Sequence, residues 1–511
     1  MFMSTQSNNK TIAKNTLLLY FRMMLTMIIT LYTSRVVLKV LGIEDFGIYQ
    51  TVGGVVGMLS FLNGALAVGT SRFLTFELGT GNFVKLKKTF STVLSAHFIL
   101  SFVICLLAET IGLWFVYNKL VIPPGRMGAA IFIYHISILT AMIQLTQVPY
   151  NASIISHERM EIYAYSSIVE VSLKLLIVYI LTVGGYDKLM LYSILLAIIT
   201  IGMALYYRFY CIKHFEETHY HFIFDMPILR NVLGYSGWNL LANTSIALNN
   251  HGGVLLLNMF FSPSVVTARA IANQVNMAAY HFITNFRTAS NPQIVKRYAA
   301  KDYEGSKRLL LSTTTYSFFL MLLLALPIIL VAEPLLQLWL GQVPPYSVIF
   351  LKLTIICSLF QVFDTSFYIA LYAKGQIREN ALISPSLGFL CFPLVYVLFK
   401  MGCSPEIIAW IALLRYAILG LVVKPILIIK IVDYTWNDII HVFIPCIRVT
   451  AVSCILPLFF YLSEDLLPDN IYMRFGVLVF LSAACVLIAI WLVGINSTEK
   501  KKVIEFVKSK I

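Results

Sequence analysis

A row of polar side chains recurs at helical spacing inside a long, mostly apolar stretch of the sequence. Its steps of three and four residues place every member on one face of an α-helix. The row consists of Arg269, Asn273, Asn276, Tyr280, Thr284 and Arg287. Because an arginine inside a bilayer costs at least about 2.5–3.5 kcal/mol on insertion scales, this face is unsuited to lipid. We expect it to line a wet internal cavity that accepts an anion.

Two other predicted helices carry similar rows. The first helix holds Asn15, Arg22, Thr26 and Thr33, and the seventh holds Asn239, Asn243 and Asn250. The predicted substrate-binding residues are Arg22, Thr26, Asn239, Asn243, Arg269, Asn273, Asn276 and Tyr280. The alternative is that amides and threonines bridge packed helices, at about 0.6–2 kcal/mol each. Both interpretations stay open for the asparagines, whereas Arg22 and Arg269 favour the cavity because neither has an acidic partner on its own helix.

Asp364 and Arg415 are charged residues near the middle of the tenth and twelfth predicted helices. The carboxylate has two interpretations of equal weight. It carries a coupling proton or binds a coupling cation, or it balances the charge of Arg415.

The remaining charges in the apolar runs have simpler interpretations. Glu170 and Lys174 are four residues apart and should pair within one helix. The cations near helix ends should extend towards the headgroups; these are Lys352, Lys424 and Arg448. A stripe of small residues on the second helix predicts close helix packing, and it consists of Gly53, Gly57, Ser60 and Gly64.

The composition explains why these residues must be positioned by membrane helices. The chain has 511 residues, of which 59% are hydrophobic and 12% charged, with a mean hydropathy of +0.82. Apolar runs long enough to cross a bilayer recur along the whole chain. The sequence therefore predicts an all-α polytopic membrane protein with about fourteen transmembrane helices. The eight cysteines show no disulfide or metal spacing, and no catalytic constellation emerges, so we expect neither a cofactor nor an enzyme.

Charge orients the predicted helices. Most of the 38 lysines and arginines fall on one side of the membrane when the N-terminus is cytoplasmic, which also makes the C-terminus cytoplasmic. The net charge of +14 is then the signature of an inner leaflet that attracts anionic lipids. It requires no nucleic-acid partner.

A weak internal repeat suggests two lobes. Gly81–Lys88 resembles Lys301–Arg308, and both segments lie between the second and third helices of their half. We therefore expect six-helix lobes over residues 1–210 and 234–430, joined by a cytoplasmic linker over 211–233, with two additional helices and a tail over 431–511. Parallel repeats of this kind build transporters with a site between the lobes.

Four segments give the chain a resemblance to a known family. They are Leu41–Tyr49, Pro149–Met160, Ala272–Val275 and Asn291–Lys296. With the predicted topology, they resemble bacterial polysaccharide (O-antigen-type) flippases of the multidrug/oligosaccharidyl-lipid/polysaccharide (MOP) exporter superfamily, which includes the MATE transporters. The resemblance implies a V of two helix bundles and alternating access.

It also implies that a polyprenyl-diphosphate-linked oligosaccharide moves from the cytoplasmic to the periplasmic leaflet of the bacterial inner membrane, for lipopolysaccharide or another surface polysaccharide. Implied partners are that lipid-linked substrate, membrane lipids, a coupling cation (H⁺ or Na⁺) and other polysaccharide-assembly proteins.

Two alternatives remain. A cation-coupled drug or metabolite exporter of the same fold would require carboxylates in its lumen, and Asp364 is the best candidate. A polytopic glycan polymerase or ligase would require a large outer loop with basic and acidic residues. The longest predicted outer loop, over 333–346, is short.

Overall fold

The computed structural model describes residues 24–157, 159–183, 185–463, 468, 470–495 and 500. Every secondary-structure element among these residues is helical. The side chains of several helical residues, including Asn239, lie outside the described part, as does the whole of Arg22.

The long helices follow one another with short connections. In chain order they are α1 (Met24–Leu41), α2 (Ile43–Gly57 and Phe61–Thr80), α3 (Phe83–Lys119), α4 (Met127–Ser156), α5 (Met160–Leu181), α6 (Lys188–His214), α7 (Met226–Ala247 and Gly253–Phe260), α8 (Pro263–Ala299), α9 (Tyr303–Leu330), α10 (Ser347–Lys374), α11 (Arg378–Lys400), α12 (Ile407–Val432), α13 (Trp436–Leu462) and α14 (Ile471–Ala489). A short helix, Ala332–Leu340, separates α9 from α10.

Ten helices in the described part of the chain are long and apolar enough to cross a membrane. Counting the bent pair that forms α2 as one span makes eleven. The long helices α5, α7 and α8 fall outside this group. The predicted all-helical membrane fold is therefore confirmed, and the full number of about fourteen spans stays a prediction.

Polar side chains at the helix starts explain several of the boundaries. At five helix starts, a side-chain oxygen of the residue before the helix accepts a hydrogen bond from a backbone N–H of the first turn. These residues are Asn82, Asp187, Asp225, Asp302 and Asn470. Such a cap satisfies a donor that has no partner within the helix and stabilises it by about 1 kcal/mol.

The helix boundaries repeat along the chain. Shifting the numbering by 220 residues brings the starts of α2, α3, α4 and α6 to within one residue of the starts of α8, α9, α10 and α12. The predicted repeat loops also share their geometry. Gly81 and Lys301 both have a positive φ, of 71° and 64°. The next residue of each, Asn82 or Asp302, then caps the following helix. The helix order of the first half therefore recurs in the second.

Contacts divide the chain into two compact units. The first unit comprises Met1–Thr267 with Gly388–Met401, and the second comprises Ala268–Leu387 with Gly402–Ile511. The boundaries of these units differ from the boundaries of the lobes that the sequence predicts, and the lobes stay a prediction. One core cluster of the first unit is centred on Phe90, Leu94 and Ile154, which are almost fully buried.

The predicted linker is fastened to α3 within the first unit. Tyr220 shares a hydrogen bond of 3.0 Å with Ser95, and the backbone N–H of Asp225 donates to Thr92 at 3.3 Å. The Asp225 carboxylate also pairs with Lys88 at 2.6 Å. This lysine and the Ile228 amide hold the pKa of the Asp225 carboxyl below its usual value. The hydroxyls of α3 therefore satisfy linker groups that would otherwise be solvated.

Candidate anion site in the second unit

The polar row on α8 is divided between two roles. In its C-terminal half, Asn276 accepts a hydrogen bond from Ser358 at 2.7 Å, and the hydroxyls of Tyr280 and Thr365 lie 2.9 Å apart. Arg287, of which 8% is exposed, donates to the side chain and the backbone carbonyl of Thr365. These bonds join α8 to α10. The helix-bridging interpretation therefore applies to this half of the row.

The N-terminal half has no such partners. Among the residues that the structure describes, no hydrogen bond reaches Asn273, which is exposed, and no ion pair reaches Arg269. The Nε atom of Arg269 is buried and makes no hydrogen bond. An arginine in this state keeps its donors available for a ligand.

Arg415 on α12 contributes a second uncompensated charge to the second unit. Arg269 and Arg415 both belong to the second unit and carry the same charge. Arg415 lies over the ring of Tyr416, with 4.6 Å between its Cζ atom and the ring centroid. Its Nε atom is also buried without a hydrogen bond, and no carboxylate of the described chain lies within ion-pair distance. The sequence analysis did not predict a shared role for these two arginines.

The carboxylate of Asp364 has a different partner from the one considered in the sequence. The Nζ atom of Lys424 lies 3.1 Å from Asp364 Oδ1, and the side chains are only 3% and 15% exposed, respectively. Lys424 also donates to the side-chain oxygen of Asn380, and its Nζ lies 5.4 Å from the Tyr368 ring centroid. The expectation that Lys424 extends towards the headgroups was wrong. It is buried because a carboxylate, an amide and an aromatic ring together replace its hydration.

A glycine allows α12 to approach α10 beside this pair. Gly420 lies in a wide turn of α12, Leu419–Val423, with i→i+5 hydrogen bonding. A Cβ atom at this position would lie 2.6 Å from the backbone oxygen of Phe360. The absence of a side chain therefore permits the contact that places Lys424 near Asp364.

The small-residue stripe on α2 packs as expected against α7 in the first unit. A Cβ atom on Gly57 would lie 2.7 Å from the His251 ring, and one on Gly64 would lie 2.8 Å from Asn243 Oδ1. The predicted close packing is confirmed at these two positions. Asn243 therefore takes part in a helix contact.

The remaining predictions from the sequence concern one ion pair, three predicted substrate-binding residues and metal sites. The predicted pair Glu170–Lys174 is confirmed, with 2.6 Å between its charged atoms. Thr26 is half-buried on α1. Arg22 and the side chain of Asn239 lie outside the described part, so their predicted roles remain predictions. Within the described chain, no group of three potential ligands could hold a metal ion.

An ion-pair bridge ties three helix ends together in the first unit. Arg126, which precedes α4, donates to Asp45 on α2 at 2.8 Å and to Asp187, the α6 cap, at 2.6 Å. Burial alone would raise the pKa of the Asp187 carboxyl, but the Met190 amide and Arg126 outweigh it and lower the pKa. The bridge therefore keeps a carboxylate charged outside the membrane.

The arrangement in the second unit has the chemistry that an anionic ligand requires. Two guanidinium groups without carboxylate partners provide charge and bidentate donors, which suit phosphate or diphosphate oxygens. The nearby carboxylate is occupied by Lys424 and leaves that charge uncancelled. The sequence analysis missed Ser358, Thr365 and Asn380, because single hydroxyls and amides in apolar helices give no distinctive signal.

Comparisons with known proteins agree with this architecture. The MatE family model matches residues 253–398. A solved inward-facing multidrug resistance MATE transporter has a TM-score of 0.66 and 14% identity, covering 80% of this chain and 96% of that one. The lipid II flippase MurJ has a TM-score of 0.68 and 12% identity, covering 93% and 98%.

A MOP superfamily transporter from Pyrococcus furiosus gives a TM-score of 0.55 at 16% identity, with coverage of 82% of this chain and 96% of that chain. No curated protein matched the sequence. At such identities the likenesses establish the fold alone. The chain has the membrane transporter fold that MATE transporters and MurJ share within the MOP superfamily.

Proposed function

We propose that the protein flips a polyprenyl-diphosphate-linked oligosaccharide across the bacterial inner membrane by alternating access. The observation that carries this proposal is the pair of uncompensated guanidinium groups, Arg269 and Arg415, in the second unit. A half-buried cation without a carboxylate partner is unfavourable in a membrane helix, and an anionic ligand relieves that cost. A diphosphate is a compact anion with several oxygens for bidentate contacts.

The wider setting of the proposal follows from the sequence. About fourteen spans would put both termini in the cytoplasm. Arg22 and the polar rows of α1 and α7 in the first unit offer further polar groups for the substrate. The glycan moves to the periplasmic leaflet, where other polysaccharide-assembly proteins receive it. A proton or sodium gradient is the candidate driving force.

A second candidate function is the export of drugs or metabolites, which the likeness to a multidrug resistance MATE transporter favours. Cationic drugs require an unpaired carboxylate in the binding cavity. Asp364, the best candidate in the second unit, is instead paired with the buried Lys424. The charge distribution therefore favours an anionic substrate.

A reconstituted flipping assay tests the proposal. The purified full-length protein is placed in liposomes that contain a fluorescent polyprenyl-diphosphate disaccharide, and a membrane-impermeant quencher reports movement between leaflets. We expect Arg269→Ala to abolish flipping and Arg269→Lys to retain part of it, because lysine keeps the charge and loses the planar fork. Arg448→Ala on α13, an exposed arginine, is the matched control and should flip normally.

The same vesicles distinguish the alternative. The wild-type protein could instead leave the lipid in its leaflet and export ethidium when a proton or sodium gradient is imposed. That result would overturn the flippase proposal in favour of drug export. Normal flipping by Arg269→Ala would show that the anion binds elsewhere.

A further inference from the structure

The first unit contains a cavity that the proposed anion site does not use. It lies between α2, α3 and α4 and has a volume of about 220 Å³. Its polar lining residues are Tyr49, Asn63, Ser137, Thr140 and Gln144, and Gly53 opens one wall. Among the described residues that line it, none carries a charge. The cavity therefore suits neither a diphosphate nor a metal or drug cation.

The polar groups on this wall are available for a ligand. In the part of the chain that the structure describes, the side-chain amides of Asn63 and Gln144 make no hydrogen bond. The hydroxyl of Thr140 donates to the backbone carbonyl of Ser137 at 2.9 Å and keeps its acceptor sites. Two amides provide both donors and acceptors, which is the combination that neutral hydroxyl groups require.

The size of the cavity limits its guest. Pockets for drug-sized ligands measure about 300–1,000 Å³, so a volume of about 220 Å³ accepts a smaller molecule. One six-membered sugar ring fits this range.

The internal repeat relates this cavity to the anion site. At the offset of 220 residues that aligns the helix starts, Tyr49 corresponds to Arg269 and Gln144 corresponds to Asp364. The same helix positions thus carry neutral hydrogen-bonding groups in the first unit and charged groups in the second. A substrate with a neutral glycan and a charged diphosphate contains both of the matching chemistries.

We propose that the cavity of the first unit, lined by Tyr49, Asn63 and Gln144, binds a single neutral sugar ring. This inference rests on the proposed function, because the sugar would belong to the glycan that the protein carries. The site would select the glycan through its hydroxyl pattern, and the second unit would hold the diphosphate whatever the sugar.

Saturation-transfer NMR on the full-length protein in nanodiscs tests the site without a lipid carrier. The probes are N-acetylglucosamine and glucose, with glucose 6-phosphate as the charged comparison. We expect the neutral sugars to give a saturation-transfer signal that depends on this cavity. Glucose 6-phosphate should give no signal that changes when the cavity is altered. Gln144→Met keeps the side-chain length and removes the amide. It should weaken binding about five-fold, the effect of one neutral hydrogen bond.

Filling the cavity provides a second, independent variant. A Cβ atom at Gly53 would meet nothing within 4 Å, so Gly53→Leu should occupy the cavity and abolish the signal. Gly476→Leu on α14 is the matched control, because its Cβ atom also meets nothing, and it should bind like the wild type.

The outcomes separate this inference from the proposed function. Absence of any sugar signal in the wild type, or equal signals in Gln144→Met, Gly53→Leu and the control, would overturn the sugar site. Flipping that depends on Arg269 would then still support the proposed function. Sugar binding that Gly53→Leu abolishes, in a protein that does not flip the lipid, would retain the sugar site and overturn the flippase.

Discussion

Replacing Lys424 with methionine should destabilise the second unit far more than a surface substitution would. Methionine keeps much of the apolar stem but removes the charge that compensates Asp364, which is 15% exposed. The variant also loses the contacts of Lys424 with Asn380 and the Tyr368 ring. Breaking a buried ion pair from one side typically destabilises a protein by about 3–5 kcal/mol, because a charge is left without a partner.

The free energy of unfolding in mixed detergent micelles measures this effect. A cycle of Lys424→Met, Asp364→Asn and the double variant isolates the interaction between the two residues. We expect each single variant to lose about 3–5 kcal/mol and the double variant to lose less than either, because no charge is then left without a partner; the cycle should recover at least about 3 kcal/mol of the summed loss. The exposed pair Glu170–Lys174 is the matched control, and its cycle should give about 0.2–0.5 kcal/mol.

Two results would refute this reasoning. One is a Lys424→Met protein that unfolds within about 1 kcal/mol of the wild type, below the range for a broken buried pair. The other is strict additivity in the cycle, which would mean that the residues do not interact.

The same variants also test the role of Asp364 in transport. If Asp364 carried a coupling proton, the stable double variant would remain inactive, whereas a purely charge-balancing pair should permit transport once both charges are removed.

Three further predictions concern other parts of the chain. Because the pKa of Asp187 is lowered in the folded protein, its contribution is complete above the ordinary value of about 3.9 and is lost as pH falls through the lowered pKa. The melting temperature should therefore fall as the pH is lowered below about 4, and Arg126→Gln should flatten that dependence in a scan at several pH values. Gly420→Ala should lower the melting temperature because its Cβ would lie 2.6 Å from the Phe360 carbonyl, a backbone atom that cannot move aside; a melt equal to that of Gly476→Ala would contradict this. Cys403 should react with a membrane-impermeant thiol reagent on intact cells; its protection there, with labelling only after the cells are opened, would reverse the predicted orientation.

Much of the fold was predictable because apolar length and charge asymmetry act along the chain itself. The repeat was also visible, since two short loops predicted a correspondence that the starts of α2 and α8 share. The alignment of polar residues on one face of α8 followed from periodicity. Periodicity could not predict which of these residues bridge helices and which are free. That division depends on Ser358 and Thr365, which lie on a helix distant in the sequence.

The partner of Asp364 was unpredictable for a geometric reason. In a regular helix, the nine steps from Arg415 to Lys424 correspond to a net rotation of about 180°, which places the two side chains on opposite faces. The wide turn over Leu419–Val423 changes that phase and brings Lys424 towards α10. Periodicity arguments assume 3.6 residues per turn, so they cannot detect such a change.

The wide turn of α12 makes this helix tolerant of a change in length. A wide turn accommodates one residue more than a regular helix requires, so the chain can lose a residue between Leu419 and Val423 and still form a continuous α-helix. Because the wide turn already absorbs that residue, everything beyond the deletion would keep its direction, and Lys424 would still face Asp364. Making the turn regular at unchanged length would instead rotate everything beyond it by about 100° and turn Lys424 away from the carboxylate. A one-residue change in length, which usually reorients the rest of a helix, can thus be absorbed here without separating an internal lysine from its partner.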